Sequence, residues 1–162
     1  MSAALLRRAA VLTAALGLAL TAAPAAHSAE APLAVKAPVT VTLTVTGPDS
    51  TVFDGTVSTT GHDVTTASGG THKCDGTNNG ANPSAGPTPT AALDDAAAQA
   101  GFTWDGEWYA SFEDYFVSTV DGATGGQEGY WNIAVNGTAT PVGGCQFRIE
   151  AGDEVAFTWT AL

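Results

Sequence analysis

The sequence predicts an α+β fold of β-grasp type, with an N-terminal β-hairpin, one helix packed on a mixed β-sheet, and one disulfide. Three observations predict it. Residues 39–45, Val-Thr-Val-Thr-Leu-Thr-Val, alternate strictly between apolar residues and threonine. Residues 89–100 carry an apolar stripe at helical spacing. Cys74 and Cys145 are the two cysteines of the chain.

Alternation with β-branched residues is the pattern of a half-buried strand, so Val39, Val41, Leu43 and Val45 face inward and the threonines outward. Gly47-Pro48-Asp49-Ser50 is turn chemistry, and residues 51–57 return as the second strand of a hairpin. Residues 58–88, rich in Gly, Asn and Pro, read as a long loop. Loops of that length are uncommon unless functional or pinned, and Cys74 supplies the pin. The helix follows, with Thr88 or Thr90 as cap, Pro89 in the first turn and Gly101 at the end. Leu93, Ala96, Ala97 and Ala100 form its stripe, and a face made mostly of alanine suits close packing on a flat sheet.

Beyond the helix, residues 104–108, Trp-Asp-Gly-Glu-Trp, read as a tight turn with aromatic flanks. Residues 112–120 read as a strand with Phe112 and Phe116 inward. Residues 129–135 form a strand with Trp131, Ile133 and Val135 on one inward face, ending in the turn Asn136-Gly137. Residues 146–149 are expected to be short and extended, and Gly152-Asp153 turns the chain into a last strand at 155–159.

The N-terminus has its own signature. Arg7-Arg8 precedes residues 9–23, which hold no charge, and Ala26-His27-Ser28 offers small residues for cleavage. A basic, then apolar, then small-residue order marks a secretory signal peptide at 1–28, and the apolar run is shorter than the roughly 20 residues of a membrane span. Residues 29–38 are expected to be a flexible Ala/Pro-rich leader, and 39–162 a single domain. The mature protein is therefore expected to be secreted, extracellular and free of the membrane after cleavage. Past residue 28 the chain keeps Lys36, Lys73 and Arg148 against all 16 carboxylates, a net charge of −13. Nucleic acids and anionic membranes need clustered Lys or Arg, so both are excluded as partners. In an oxidising compartment an even cysteine count reads as a disulfide. Joining Cys74 to Cys145 closes a 71-residue separation, worth about 4 kcal/mol in the chain-entropy model.

Gly129-Tyr130-Trp131-Asn132-Ile133-Ala134-Val135-Asn136-Gly137, followed by Gly152-Asp153-Glu154-Val155-Ala156-Phe157, resembles the transcobalamin-like C-terminal domain family. That family carries a G-x-W-x-x-x-V-N-G strand and turn, then a G-D-x-[VI]-x-[FW] strand. The helix with Ala92-Leu93-Asp94-Asp95-Ala96 fits its x-A-L-x-x-A pattern, and the likeness runs over residues 39–160. The resemblance implies a β-grasp fold on secreted or cell-surface proteins. In cobalamin carriers a related domain closes over the corrinoid beside a helical barrel. No such barrel is expected here, and no corrinoid-contact residue carries over.

Catalytic signals are sparse. Asp94/Asp95, Glu113/Asp114 and Asp153/Glu154 are sequence neighbours, whereas glycosidic acid–base pairs must face each other across a cleft. No G-x-S-x-G is present, so no nucleophile is assigned. His62, His72 and Asp75 share one segment and are a weak alternative for a metal site, without recognisable ligand spacing. No cofactor is expected. The candidate ligand-binding residues are Trp104, Trp108 and Tyr109, whose rings can stack on sugars or hold apolar molecules. The expected function is a non-catalytic, monomeric binding or interaction domain for an extracellular small molecule, glycan or protein. The alternatives are a secreted enzyme with an unrecognised site, or an accessory domain of a cobalamin or small-molecule carrier.

Overall fold

A computed structural model describes residues 37–162, so the expected signal peptide (1–28) and most of the expected leader lie outside the described residues. The threonine-alternating segment forms β1 (Val39–Thr46), and β2 (Thr51–Thr59) returns beside it, antiparallel. β10 (Glu154–Ala161) lies parallel to the other edge of β1, pairing Leu43 with Val155 and Val45 with Phe157. β8 (Gly129–Val135) and the two-residue β9 (Thr138–Ala139) complete a five-stranded sheet in the order β2-β1-β10-β8-β9. The sheet is mixed, because β1 and β10 run parallel while the other neighbours run antiparallel.

The helix α1 (Pro89–Ala100) packs on β2 and β1. Thr88 caps it by accepting the Ala91 N–H at 3.3 Å, and Gly101, at φ 79°, closes it by donating to the Ala97 carbonyl. Its buried face is Ala92, Leu93, Ala96 and Ala97; Ala100, expected on that face, is exposed. The main core joins Leu43, Val45 and Val57 to Leu93, Trp131, Val155 and Phe157. Full burial of each large aliphatic or aromatic side chain there contributes about 1.5–3 kcal/mol.

Four further expectations need correction. The segment read as a long loop contains a second hairpin, β3 (His62–Thr66) and β4 (Gly70–Cys74), which pairs Val64 with His72. Its inward positions are Val64, Thr66 and Cys74, and a threonine and a cysteine hide an alternation that aliphatic residues would announce. The expected Trp-Asp-Gly-Glu-Trp turn is instead a strand, β5 (Trp104–Tyr109). Gly106 sits at its bulge because the space is taken: a Cβ there would lie 3.1 Å from the Phe116 carbonyl and 3.2 Å from the Trp104 ring.

β6 (Asp114–Val120) pairs with β5 and with β7 (Ala123–Thr124) in a three-stranded sheet. Its inward face is Tyr115 and Val117, so Phe112 and Phe116, expected in the core, are 60% and 47% exposed. Lastly, residues 146–149 are not a strand: the Gln146 and Phe147 N–H groups both turn back to the Gly143 carbonyl.

The expected disulfide joins Cys74 and Cys145, ties the end of β4 to the 143–147 turn and is fully buried. Around it Val64, Ala91 and Tyr115 form a second small core, with Trp104 and Trp108 packed against it. The Tyr115 hydroxyl shares its one hydrogen between the Val64 and Gly70 carbonyls, 2.8 and 2.7 Å away, fastening the β3–β4 hairpin to β6.

Candidate functional site

The turn between β5 and β6 is held from several sides. The Asn78 side chain donates to the Glu113 and Lys73 carbonyls, both at 2.7 Å. The Glu113 carboxylate accepts the Asn79 N–H at 2.7 Å, and Gln146 Nε2 donates to the Phe112 carbonyl at 2.8 Å. Glu113 itself adopts φ 48°, a left-handed conformation that side-chain-bearing residues rarely take and that these bonds maintain. On this turn the Phe112 ring is 60% exposed.

Beside the turn lies an open groove of about 600 Å³. Tyr109, Phe112, Phe116, Pro141 and Val142 are among its lining residues. Tyr109 is 44% exposed and Val142 41%, so an aromatic ring and aliphatic carbons of the lining face water. Tyr109 and Phe116 meet edge to face at 6.4 Å. The floor is Tyr115 and Asp114, both buried. Both Asp114 carboxylate oxygens accept the Cys145 N–H, at 3.0 and 3.1 Å, and one also accepts the Tyr115 N–H. Burial pushes this carboxyl up to about 6, against the lowering effect of N–H donors from Cys145, Tyr115 and Gln146. Gly143 permits the close approach, since a Cβ there would overlap the Asp114 carboxyl.

Of the three aromatic candidates, Tyr109 lines this groove and the two tryptophans do not. Both are half-buried. Trp104 donates its indole N–H to Asp94 at 3.0 Å and meets Tyr115 edge-on. Trp108 stacks on His72 with the rings 4.0 Å apart and 4° from parallel. Phe112, Phe116 and Val142 were not recognised as site residues. The signal for the phenylalanines was present: in Asp114-Tyr115-Phe116-Val117 the β-branched Val117 shares a face with Tyr115, which puts Phe116 opposite.

The metal candidates each bond to other groups. His62 bonds to Asp94 at 3.3 Å and to the Thr60 carbonyl at 3.0 Å. The His72 ring bonds to the Gly69 carbonyl, and Asp75 accepts from Thr77. Among the described residues no group of three or more His, Cys, Asp or Glu side chains is arranged to hold a metal ion. The carboxylate neighbours have partners of their own: Asp94 bonds to His62 and Trp104, with Asp95 4.0 Å from the other nitrogen of the same His62 ring, Asp153 bonds to Asn136, and Asp114 is buried while Glu113 is exposed. No helix among the described residues is long and apolar enough to cross a membrane.

Residues 97–161 match the model of a domain of unknown function, DUF4430. That span contains β5 to β10 and, apart from Asn79, the whole groove lining. No curated protein matches the chain. Among solved structures it is similar to a crystal structure of haptocorrin in complex with Cbi, at 12% identity and a TM-score of 0.50. The likeness covers 78% of this chain and 26% of that one, so the chain spans about a quarter of haptocorrin's length. Together the two matches support a transcobalamin-like fold.

Proposed function

We propose that this chain is a secreted, non-catalytic binding domain of β-grasp type, related to transcobalamin-like C-terminal domains, whose groove takes a small apolar molecule. One observation carries the reading. Phe112, Phe116, Tyr109 and Val142 are all more than 40% exposed on one groove. Exposed apolar side chains scattered singly mean nothing, but a contiguous patch around a concavity is the usual form of a ligand site. The bonds from Asn78, Asn79 and Gln146 to the 112–113 turn add to this, because they hold the backbone that carries Phe112. Secretion is supported by the N-terminal signature and the disulfide.

The test uses N-phenyl-1-naphthylamine, a neutral apolar dye that fluoresces when shielded from water. The wild-type protein should bind it, and the double variant Phe112→Ala, Phe116→Ala should lose that binding with little change in its unfolding midpoint, because exposed rings bury little area. Equal binding by the variant would refute the site.

A second reading, an accessory domain of a small-molecule carrier, rests on the fold shared with haptocorrin. It makes Cbi a probe for the same groove. Saturable Cbi binding that is lost with Phe112 and Phe116 would favour it over the general apolar reading.

A further inference from the structure

The Tyr109–Phe116 ring pair is a ridge rather than an edge. Both rings line the apolar groove, and both also line a second depression on its far side, of about 380 Å³. The second depression differs in chemistry. Asp105, Glu107, Ser118, Thr119 and Thr124 line it, together with the partly exposed Tyr130 ring. Neither depression is lined by a Lys, Arg or His side chain.

Resting on the apolar-groove reading, we infer that the ligand is an amphiphilic cation: its apolar body lies against Phe112, Phe116 and Val142, and its ammonium head crosses the ridge to Asp105, Glu107 and the Tyr109 and Tyr130 rings. Aromatic faces and carboxylates attract the same head group, the rings through their quadrupole and the acids through charge. Asp105 is a fixed anion. It accepts the Ser68 hydroxyl at 2.6 Å and the Ser68 and Gly106 N–H groups at 3.0 and 2.9 Å. These bonds, led by the Ser68 hydroxyl, hold its carboxyl below the usual range. Glu107 is exposed and accepts the Tyr109 hydroxyl at 3.3 Å, which links the acid to the ridge. With a formal net charge of −11 on the whole chain, an anionic head would be opposed both locally and at long range.

The experiment is a calorimetric titration of the full protein with three octyl amphiphiles below their micelle concentrations: octyltrimethylammonium, octyl sulfate and a neutral octyl ethylene-glycol ether. The expected order is ammonium, then neutral, then sulfate, with about a fivefold step between the first two. Added salt should shrink the spread. Glu107→Gln should narrow the ammonium-over-sulfate ratio. Neutral and charged amphiphiles binding alike, with no effect of salt, would overturn this inference and leave the apolar groove standing. Failure of all three to bind would overturn the groove itself.

Discussion

Asp114 and Cys145 are joined twice, the backbone N–H of Cys145 reaching both carboxylate oxygens at 3.0 and 3.1 Å. The bond pins the 143–147 turn, and with it Val142, to the groove floor beside the disulfide. It also places a carboxyl where its charge is poorly solvated, so the folded state holds a proton more tightly than the unfolded chain.

The consequence is a pH dependence of known sign. The Asp114 carboxyl moves from 3.8 to about 6 on folding. A group whose folded pKa is raised adds stability that is complete below its unfolded value and lost as pH rises through the folded one. Stability should therefore rise as pH falls from about 7 to about 4, by at most about 3 kcal/mol from this group. Asp114→Asn should flatten the curve in that window. Denaturant melts at both ends of the window measure it. An unchanged slope in the variant would assign the effect to other groups.

His62 has the same sign in a higher window. Its hydrogen bond to Asp94 holds the imidazole above 6.5 against the opposing effect of burial. The stabilisation is present below that value and fades as pH rises through the folded one. His62→Gln should cost about 1 kcal/mol in mild acid and little in alkali. Equal losses at both pH values would show that the ring acts by packing alone.

Trp104 and Trp108 differ from the groove aromatics in what they cost to remove. Each packs against the small core around the disulfide, so Trp→Ala should destabilise by about 3 kcal/mol while dye binding persists in the variant that stays folded. A stable Trp108→Ala variant that no longer binds the dye would move the site to the His72 face.

Cys74 and Cys145 carry a prediction of their own. The denatured, unreduced protein should show no free thiol on titration. Replacing both cysteines by serine should cost about 4 kcal/mol. Two free thiols would contradict the bridge.

Much of the frame was legible in the sequence. The hairpin, the helix with its Thr88 cap and Gly101 stop, and the strands at 129–135 and 155–159 follow from alternation, stripe and turn residues. Even the spacing of Asn136-Gly137 from Gly152-Asp153 has a cause: the Asn136 amide donates to Asp153 at 2.8 Å and accepts the Glu154 N–H at 2.9 Å. The β3–β4 hairpin was hidden because Thr66 and Cys74 fill inward positions that pattern reading reserves for aliphatic residues. β5 was hidden by Gly106, whose place in a strand depends on the Trp104 ring and the Phe116 carbonyl. The site was missed for a related reason. Phenylalanine reads as core by default, and Phe112 lies in a turn whose left-handed Glu113 and bonds from Asn78, Asn79 and Gln146 only the folded chain shows.

The most direct test of the groove is a map of where a neutral apolar ligand lands. Amide chemical shifts of the folded protein, followed during titration with N-phenyl-1-naphthylamine, would report it. The account predicts the largest changes at residues 109–116 and 140–146, saturating together with one affinity. Changes centred on His72, Lys73 and Trp108, with 109–116 and 140–146 unmoved, would contradict it.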